Sequence, residues 1–174
     1  MKVLSALFSL FIALTLGQLA LAYEIADLNK LLDTNLCRRC DLSGANLSGA
    51  KLNGVEMHKA NLKAVNLSRA ELRGAILRRA DLIDANLIET DLREAKLSGA
   101  FLTGAYLYGS TMIKANLRGA NFEGAKLSGL NLTDSNLKGA NLGIGKVEEA
   151  GWSPVINQIS IKEIGVYGEV TDFD

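Results

Sequence analysis

From Leu42 to Leu142 an apolar residue returns at every fifth position without losing phase, leucine throughout except for Met57, Met112 and Phe122. Two residues before each of these centres the chain is small: alanine in most units, otherwise Cys40, Val55, Val65, Thr90, Ser110, Leu130 or Ser135. Neither regular element accommodates a step of five. On a helix, five residues advance about 500°, or about 140° past one turn, so the leucines would scatter around the cylinder. On a strand, an odd step sends alternate leucines to opposite faces. The pattern is satisfied if the chain turns a corner every five residues, so that every side of a square coil repeats one geometry. Four units then close a coil of about 20 residues, and coils stack through backbone hydrogen bonds about 4.8 Å apart. The centre and the small residue point inward, where a narrow interior excludes a second large side chain. Repetition at a fixed period means a solenoid.

The three remaining positions of each unit read as a solvated surface. Asn recurs just before the centre, at Asn46, Asn61, Asn66, Asn86, Asn116, Asn121, Asn131, Asn136 and Asn141. Glycine recurs two residues after it, where a type II turn requires positive φ. Units with Gly44, Gly49, Gly54, Gly99, Gly104 or Gly109 are therefore expected to make type II turns. Units with Lys59, Arg69, Arg79, Asp84, Glu89 or Glu94 there are expected to turn without positive φ.

A solenoid exposes its interior at both ends and needs covering there. Residues 23–36 place Ile25, Leu28, Leu31 and Leu32 on one side at helical spacing, which predicts a short amphipathic helix across the first coil. The repeat region is expected to run over 37–145. Beyond it, 146–174 loses the five-residue phase and holds Trp152 and Pro154; it reads as a C-terminal cap with Trp152 on the last coil, or as a docking tail.

Residues 1–22 form a separate unit. Lys2 is followed by an uncharged apolar stretch ending in Ala20-Leu21-Ala22, the features of a cleavable secretory signal; an uncleaved anchor is the alternative. Lys+Arg and Asp+Glu are 19 each, and loss of Lys2 leaves 18 − 19 = −1, so no global field points to nucleic acid. Aromatic residues are only 6% of the chain, so the core must be aliphatic.

The run, in the form A-(N/D)-L-x-x from about Cys40 to Gly143, resembles the pentapeptide-repeat family. That resemblance implies an all-β fold, a right-handed quadrilateral β-helix, here of about five coils, with the short N-terminal capping helix that family members often carry. Exported members are typical of cyanobacteria and chloroplasts, so the resemblance implies the thylakoid lumen or the periplasm as the compartment.

Cys37 and Cys40 fall on a centre and on the next small inward position, three residues apart across a corner, close enough for a disulfide. Export favours a structural bridge. Buried free thiols and a redox pair assisted by Arg38 and Arg39 stay open as alternatives. His58 has no ligand partner at metal spacing, and no nucleophile elbow, phosphate loop or zinc signature appears, so neither catalysis nor a cofactor is expected.

Charge is uneven along the chain, basic over Lys51 to Arg79 and acidic over Asp81 to Glu94. The 20-residue coil stacks Lys59 on Arg79 and Arg73 on Arg93, at a small repulsive cost unless an anion covers them. Ile88, Phe101, Tyr106 and Tyr108 take outward positions in mid-solenoid and are the candidates for a partner surface.

The expected function is that of a non-catalytic structural or protein-interaction solenoid in an extracytoplasmic compartment. Its partner is another protein, with no nucleic acid and no membrane insertion after signal cleavage. Two alternatives belong to other classes. Some family members inhibit gyrase by mimicking DNA, but those are cytoplasmic, strongly acidic and often carry Phe at the centre, where this chain has only Phe122. A thiol oxidoreductase would use Cys37 and Cys40.

Overall fold

The computed structural model describes residues 25–143. Every fifth residue from Leu36 to Asn121 forms a parallel bridge with the residue one coil above, as in Asn46 with Asn66 and Asn66 with Asn86. The pairing is all β in kind, yet no strand is longer than a single bridge among the described residues, because a corner follows each one. Four sides result, named here by their first bridging residues: the Leu36, Asp41, Asn46 and Lys51 sides.

One unit shows the bonding of all. Asn61 N–H donates to Cys40 C=O below, while Leu62 and Ala64 donate to Asp81 and Ile83 above, at 2.7–2.9 Å. Val65 N–H closes the corner onto Leu62 C=O at 3.2 Å. The residue after the centre, Lys63, has no main-chain acceptor; its N–H donates to Asn61 Oδ1 at 3.4 Å. The same bond recurs at 3.0–3.2 Å wherever Asn precedes a centre, for instance in Ser48 to Asn46, Arg118 to Asn116 and Thr133 to Asn131. Asn is therefore an acceptor for the one backbone donor that the ladder leaves over, in addition to being a solvated residue. Asp41, Asp81 and Asp91 serve the same way.

Every corner has positive φ two residues after the centre, whatever residue stands there. Lys59, Arg69, Arg79, Asp84, Glu89 and Glu94 lie between +54° and +60°, as Arg39, Ala64, Lys114 and Asp134 do within a few degrees. The corner glycines lie between +65° and +71°. The expected split in the sign of φ is thus absent. Each corner must deliver the next side into register with the coils above and below, and three ladder bonds per unit override a left-handed penalty of about 1–2 kcal/mol. The Cβ shifts φ by several degrees and leaves the turn type intact.

The interior is continuous. Centres from Cys37 to Phe122 are at most 5% exposed, and small residues such as Ala60, Val65, Ala85 and Ala105 are fully buried. Thr90 and Ser110 are buried as well, and their hydroxyls donate to Leu67 and Leu87 C=O of the coil below. Leu130 occupies a small position at 4% exposure, while the centre before it, Leu127, is only partly buried.

Helix α1 (Ile25–Thr34) ends at Asn35, whose φ of +60° and N–H bond to Leu31 C=O form a left-handed cap. Leu31 is fully buried in the solenoid core and Leu28 packs against it, but Ile25 and Leu32 are 43% and 61% exposed. The expected four-residue apolar side is thus only two residues wide. Leu28 and Leu31 straddle the contact line, and Ile25 and Leu32 lie roughly 70–90° from it around the helix. The Asp27 carboxylate accepts the N–H of Asp41 at 2.8 Å, tying α1 to the first coil. The signal reading at 1–22 and the C-terminal cap or tail with Trp152 lie outside the described residues.

Candidate interaction surface

Cys37 and Cys40 flank the first corner, with Cα atoms 5.3 Å apart and the sulfurs at bonding distance. Both are buried, at 0% and 2% exposure, and Cys37 Sγ lies 3.3 Å from the Asp27 carbonyl oxygen of α1. The pair therefore sits between the helix and the first coil.

The 20-residue register sorts the four candidate surface residues. Tyr106 and Tyr108 share the Asn46 side, 45% and 41% exposed, with half-buried Ile88 directly beneath Tyr108. Phe101, 48% exposed, stands on the neighbouring Asp41 side, one corner earlier in the same coil. The surface thus wraps one edge of the solenoid. Asp81 lies directly beneath Phe101, whereas half-buried Ile83, one residue past the centre on the Asp41 side, lies beneath Thr103 at the corner between Phe101 and Tyr106. Its outward apolar position was visible in the sequence; its neighbourhood required the register.

Phe101 and Tyr106 stand where most units carry Asn or Asp. Neither carries an oxygen at the place of the Asn Oδ1 to accept the N–H of Thr103 or Tyr108, so these units give up a local bond that Asn66 and Asn86 retain. The large apolar surface there is not explained by the needs of the coil.

Ion pairs settle part of the charge pattern. Arg73 pairs with Glu94 at 2.6 Å, and Arg93 Nε donates to both oxygens of Asp91, so the Arg73–Arg93 stack is neutralised. Lys63 pairs with Asp81, Arg69 with Glu89 and Arg38 with Glu56. Lys59 and Arg79 find no acid among the described residues. The Arg93 guanidinium holds the Asp91 carboxyl below its usual value, and the Ser43 hydroxyl and N–H do the same for Asp41. His58 is half-buried on the Leu36 side, and no group of metal-ligating side chains forms among the described residues.

The chain matches the model of pentapeptide repeats over residues 40–79, 75–112 and 115–143. Among solved structures it is similar to a pentapeptide repeat protein of the cyanobacterium Nostoc, with 34% identity, 61% of this chain and 93% of that chain covered, and a TM-score of 0.52. It is also similar to HetL, a Nostoc pentapeptide repeat protein involved in heterocyst differentiation regulation, with 33% identity, 65% coverage and a TM-score of 0.47; it spans 57% of that chain. A third is a pentapeptide repeat protein of the Arabidopsis thaliana thylakoid lumen, with 33% identity, 63% and 66% coverage and a TM-score of 0.23. No curated protein matches the chain. The fold that these repeats imply is the right-handed quadrilateral β-helix.

Proposed function

The chain belongs to the pentapeptide-repeat family, and from that premise we propose that it is a non-catalytic protein-interaction solenoid of an extracytoplasmic compartment, the thylakoid lumen or periplasm. Members of the family are generally non-catalytic. The observation that carries the interaction role is the edge formed by Phe101, Tyr106, Tyr108 and Ile88. Phe101 and Tyr106 expose rigid aromatic area at positions where the fold itself favours Asn or Asp, and Tyr108 adds to it. Aromatic residues of this kind dominate the binding energy of protein interfaces. The occupant is another protein, and the leader-like residues 1–22 support export.

Cys37 and Cys40 serve in this reading as a structural disulfide that fixes the first corner beneath α1. Their burial argues against a thiol oxidoreductase. A DNA-mimicking role is the second alternative, and the balanced composition speaks against it.

The test is capture from the native compartment with the wild type and with a Tyr106→Ser, Tyr108→Ser variant that melts normally. A protein retained by the first and lost from the second supports the edge as the interface. Equal retention by both removes it. Inhibition of gyrase by the purified chain would replace this reading with the DNA-mimicking one.

A further inference from the structure

The balanced charge of the whole chain conceals a sorting that only the coil register reveals. At the corner that closes each unit of the Leu36 side, Arg39, Lys59 and Arg79 form one column through successive coils, and Arg78, Arg118 and Lys138 stand in a second that Ser98 interrupts, with Lys96 on the ladder of the side itself. All seven side chains are exposed, and none takes part in an ion pair or side-chain hydrogen bond among the described residues. The only acid among the described residues of this side is Glu56, and Arg38 neutralises it. The adjoining Asp41 side is acidic, with Asp41, Asp81, Asp84 and Glu123 against Lys63. Opposite, the Asn46 side carries Arg69, Lys126 and Glu89 and is nearly neutral.

Two costs are concentrated in the first column. Arg39, Lys59 and Arg79 hold left-handed corners, at φ +58°, +57° and +54°, where glycine would sit without strain. They also stack like charges at the coil spacing of about 4.8 Å, which is unfavourable in the free molecule. Elsewhere no corner column stacks two like charges: Arg69 lies beneath Glu89, and Lys114 lies between Glu94 and Asp134.

From this sorting we propose that the Leu36 side is a docking face for an anionic lipid bilayer surface. The two columns stand side by side on the corner that closes each unit of the Leu36 side and follow the solenoid axis from Arg39 to Lys138, with Lys96 beside them on the side itself, so a plane laid along that corner meets them together. Among the described residues no exposed aromatic stands on this side for bases to stack on, which disfavours single-stranded nucleic acid. Clustered Lys and Arg of this number suffice for peripheral attachment to anionic leaflets. Screening over about 8–10 Å reduces the influence of the other sides once the face is seated. Attachment is electrostatic, without insertion, and it points Tyr106 and Tyr108 on the opposite side away from the lipid. It does not depend on the protein-interaction reading.

The experiment is vesicle co-sedimentation of the full chain. One vesicle set contains equal parts phosphatidylglycerol and phosphatidylcholine, the other phosphatidylcholine alone. The readout is the difference between them, so any contribution common to both sets, such as that of residues 1–22, cancels. The expected result is preferential sedimentation with the anionic vesicles, reversed by salt. Arg79→Glu with Arg118→Glu should weaken the preference about tenfold or more. Lys114→Glu with Lys126→Glu, an equal charge change on other sides, should leave most of it intact. Equal binding to both vesicle sets overturns the proposal, as does equal loss in the two double variants. Soluble polyglutamate competing the chain off the vesicles at equal charge concentration would identify an acidic protein as the occupant and also overturn it.

Discussion

Asn66 Nδ2 donates to Asn46 Oδ1 in the coil beneath at 3.1 Å, while its own Oδ1 accepts the N–H and hydroxyl of Ser68. One side chain thus closes a local turn and extends the ladder between coils. Asn66→Ala is expected to lose both and to destabilise by about 1–2 kcal/mol, in the range for leaving a backbone donor without its partner. The reverse change has the opposite sign. Tyr106→Asn supplies an acceptor for the Tyr108 N–H above Asn86 and is expected to raise the melting temperature. Thermal unfolding of the two variants checks this, and a lower melting temperature for Tyr106→Asn would show that tyrosine contributes more to the fold than the Asn bond.

The corner residues give a second comparison. Ala64 sits at φ +51°, exposed and without an ion pair. Ala64→Gly relieves left-handed strain of about 1–2 kcal/mol against a backbone entropy cost of about 0.5–1 kcal/mol, so a small net stabilisation is expected. Gly129→Ala runs the other way. Its φ is +71°, and a Cβ there would meet Gly109 backbone atoms at 3.4 and 3.5 Å. Denaturant midpoints should move upward for the first variant and downward for the second.

The step of five was legible because its two inward columns are nearly uniform, and centres such as Leu72, Leu77 and Leu82 occupy the places the periodicity required. The corners were misread for a physical reason. Glycine at Gly44 or Gly104 shows where strain is avoided, but Lys59 and Glu89 adopt the same turn because the ladder above and below imposes it. The role of Asn46 and Asn66 was hidden because a solvated Asn and a turn-closing Asn look alike in a one-dimensional pattern. Linear charge runs misled in the same way. Lys51 to Arg79 covers all four sides, so its excess of basic residues did not show that Lys59, Arg78 and Arg79 share one side while Arg73 finds Glu94 on another. The aromatic edge was half legible, since Tyr108 over Ile88 follows from the 20-residue coil but Phe101 turns out to lie around a corner.

Acid should weaken the fold through specific carboxylates. Asp91 is held below its ordinary value of 3.8 mainly by the Arg93 side chain, and Asp41 mainly by the Ser43 hydroxyl. A carboxyl whose folded pKa is depressed contributes stability that is present above the unfolded pKa and is lost as pH falls through the folded one. Stability is therefore expected to decline below about pH 4. Asp91→Asn should be less stable than wild type at neutral pH and show a shallower decline in acid. Parallel curves for the two proteins would mean that the Arg93 pair is too exposed to matter.

The sharpest test of the coil is Ala85→Leu. Ala85 is fully buried between Val65 below and Ala105 above, both also fully buried, so the column is filled on either side. Its N–H closes the corner onto Leu82 at 3.1 Å, and its C=O accepts Tyr106 N–H of the next coil at 2.9 Å. The backbone therefore cannot retreat from a larger side chain without opening a ladder bond. Overpacking typically costs about 1–3 kcal/mol, and the upper end is expected here. Leu130 shows what a leucine at such a position requires: it is accommodated, but the centre before it, Leu127, is only partly buried. Around Ala85 the centres Leu82 and Leu87 are fully buried and have no such freedom. Lys126→Ala, exposed and without a side-chain partner, serves as the comparison and should stay within about 0.5 kcal/mol of wild type. If Ala85→Leu melts with Lys126→Ala and the wild type, the small column is not a packing constraint, and the interior must be wider than four-sided coils of alanine and leucine allow.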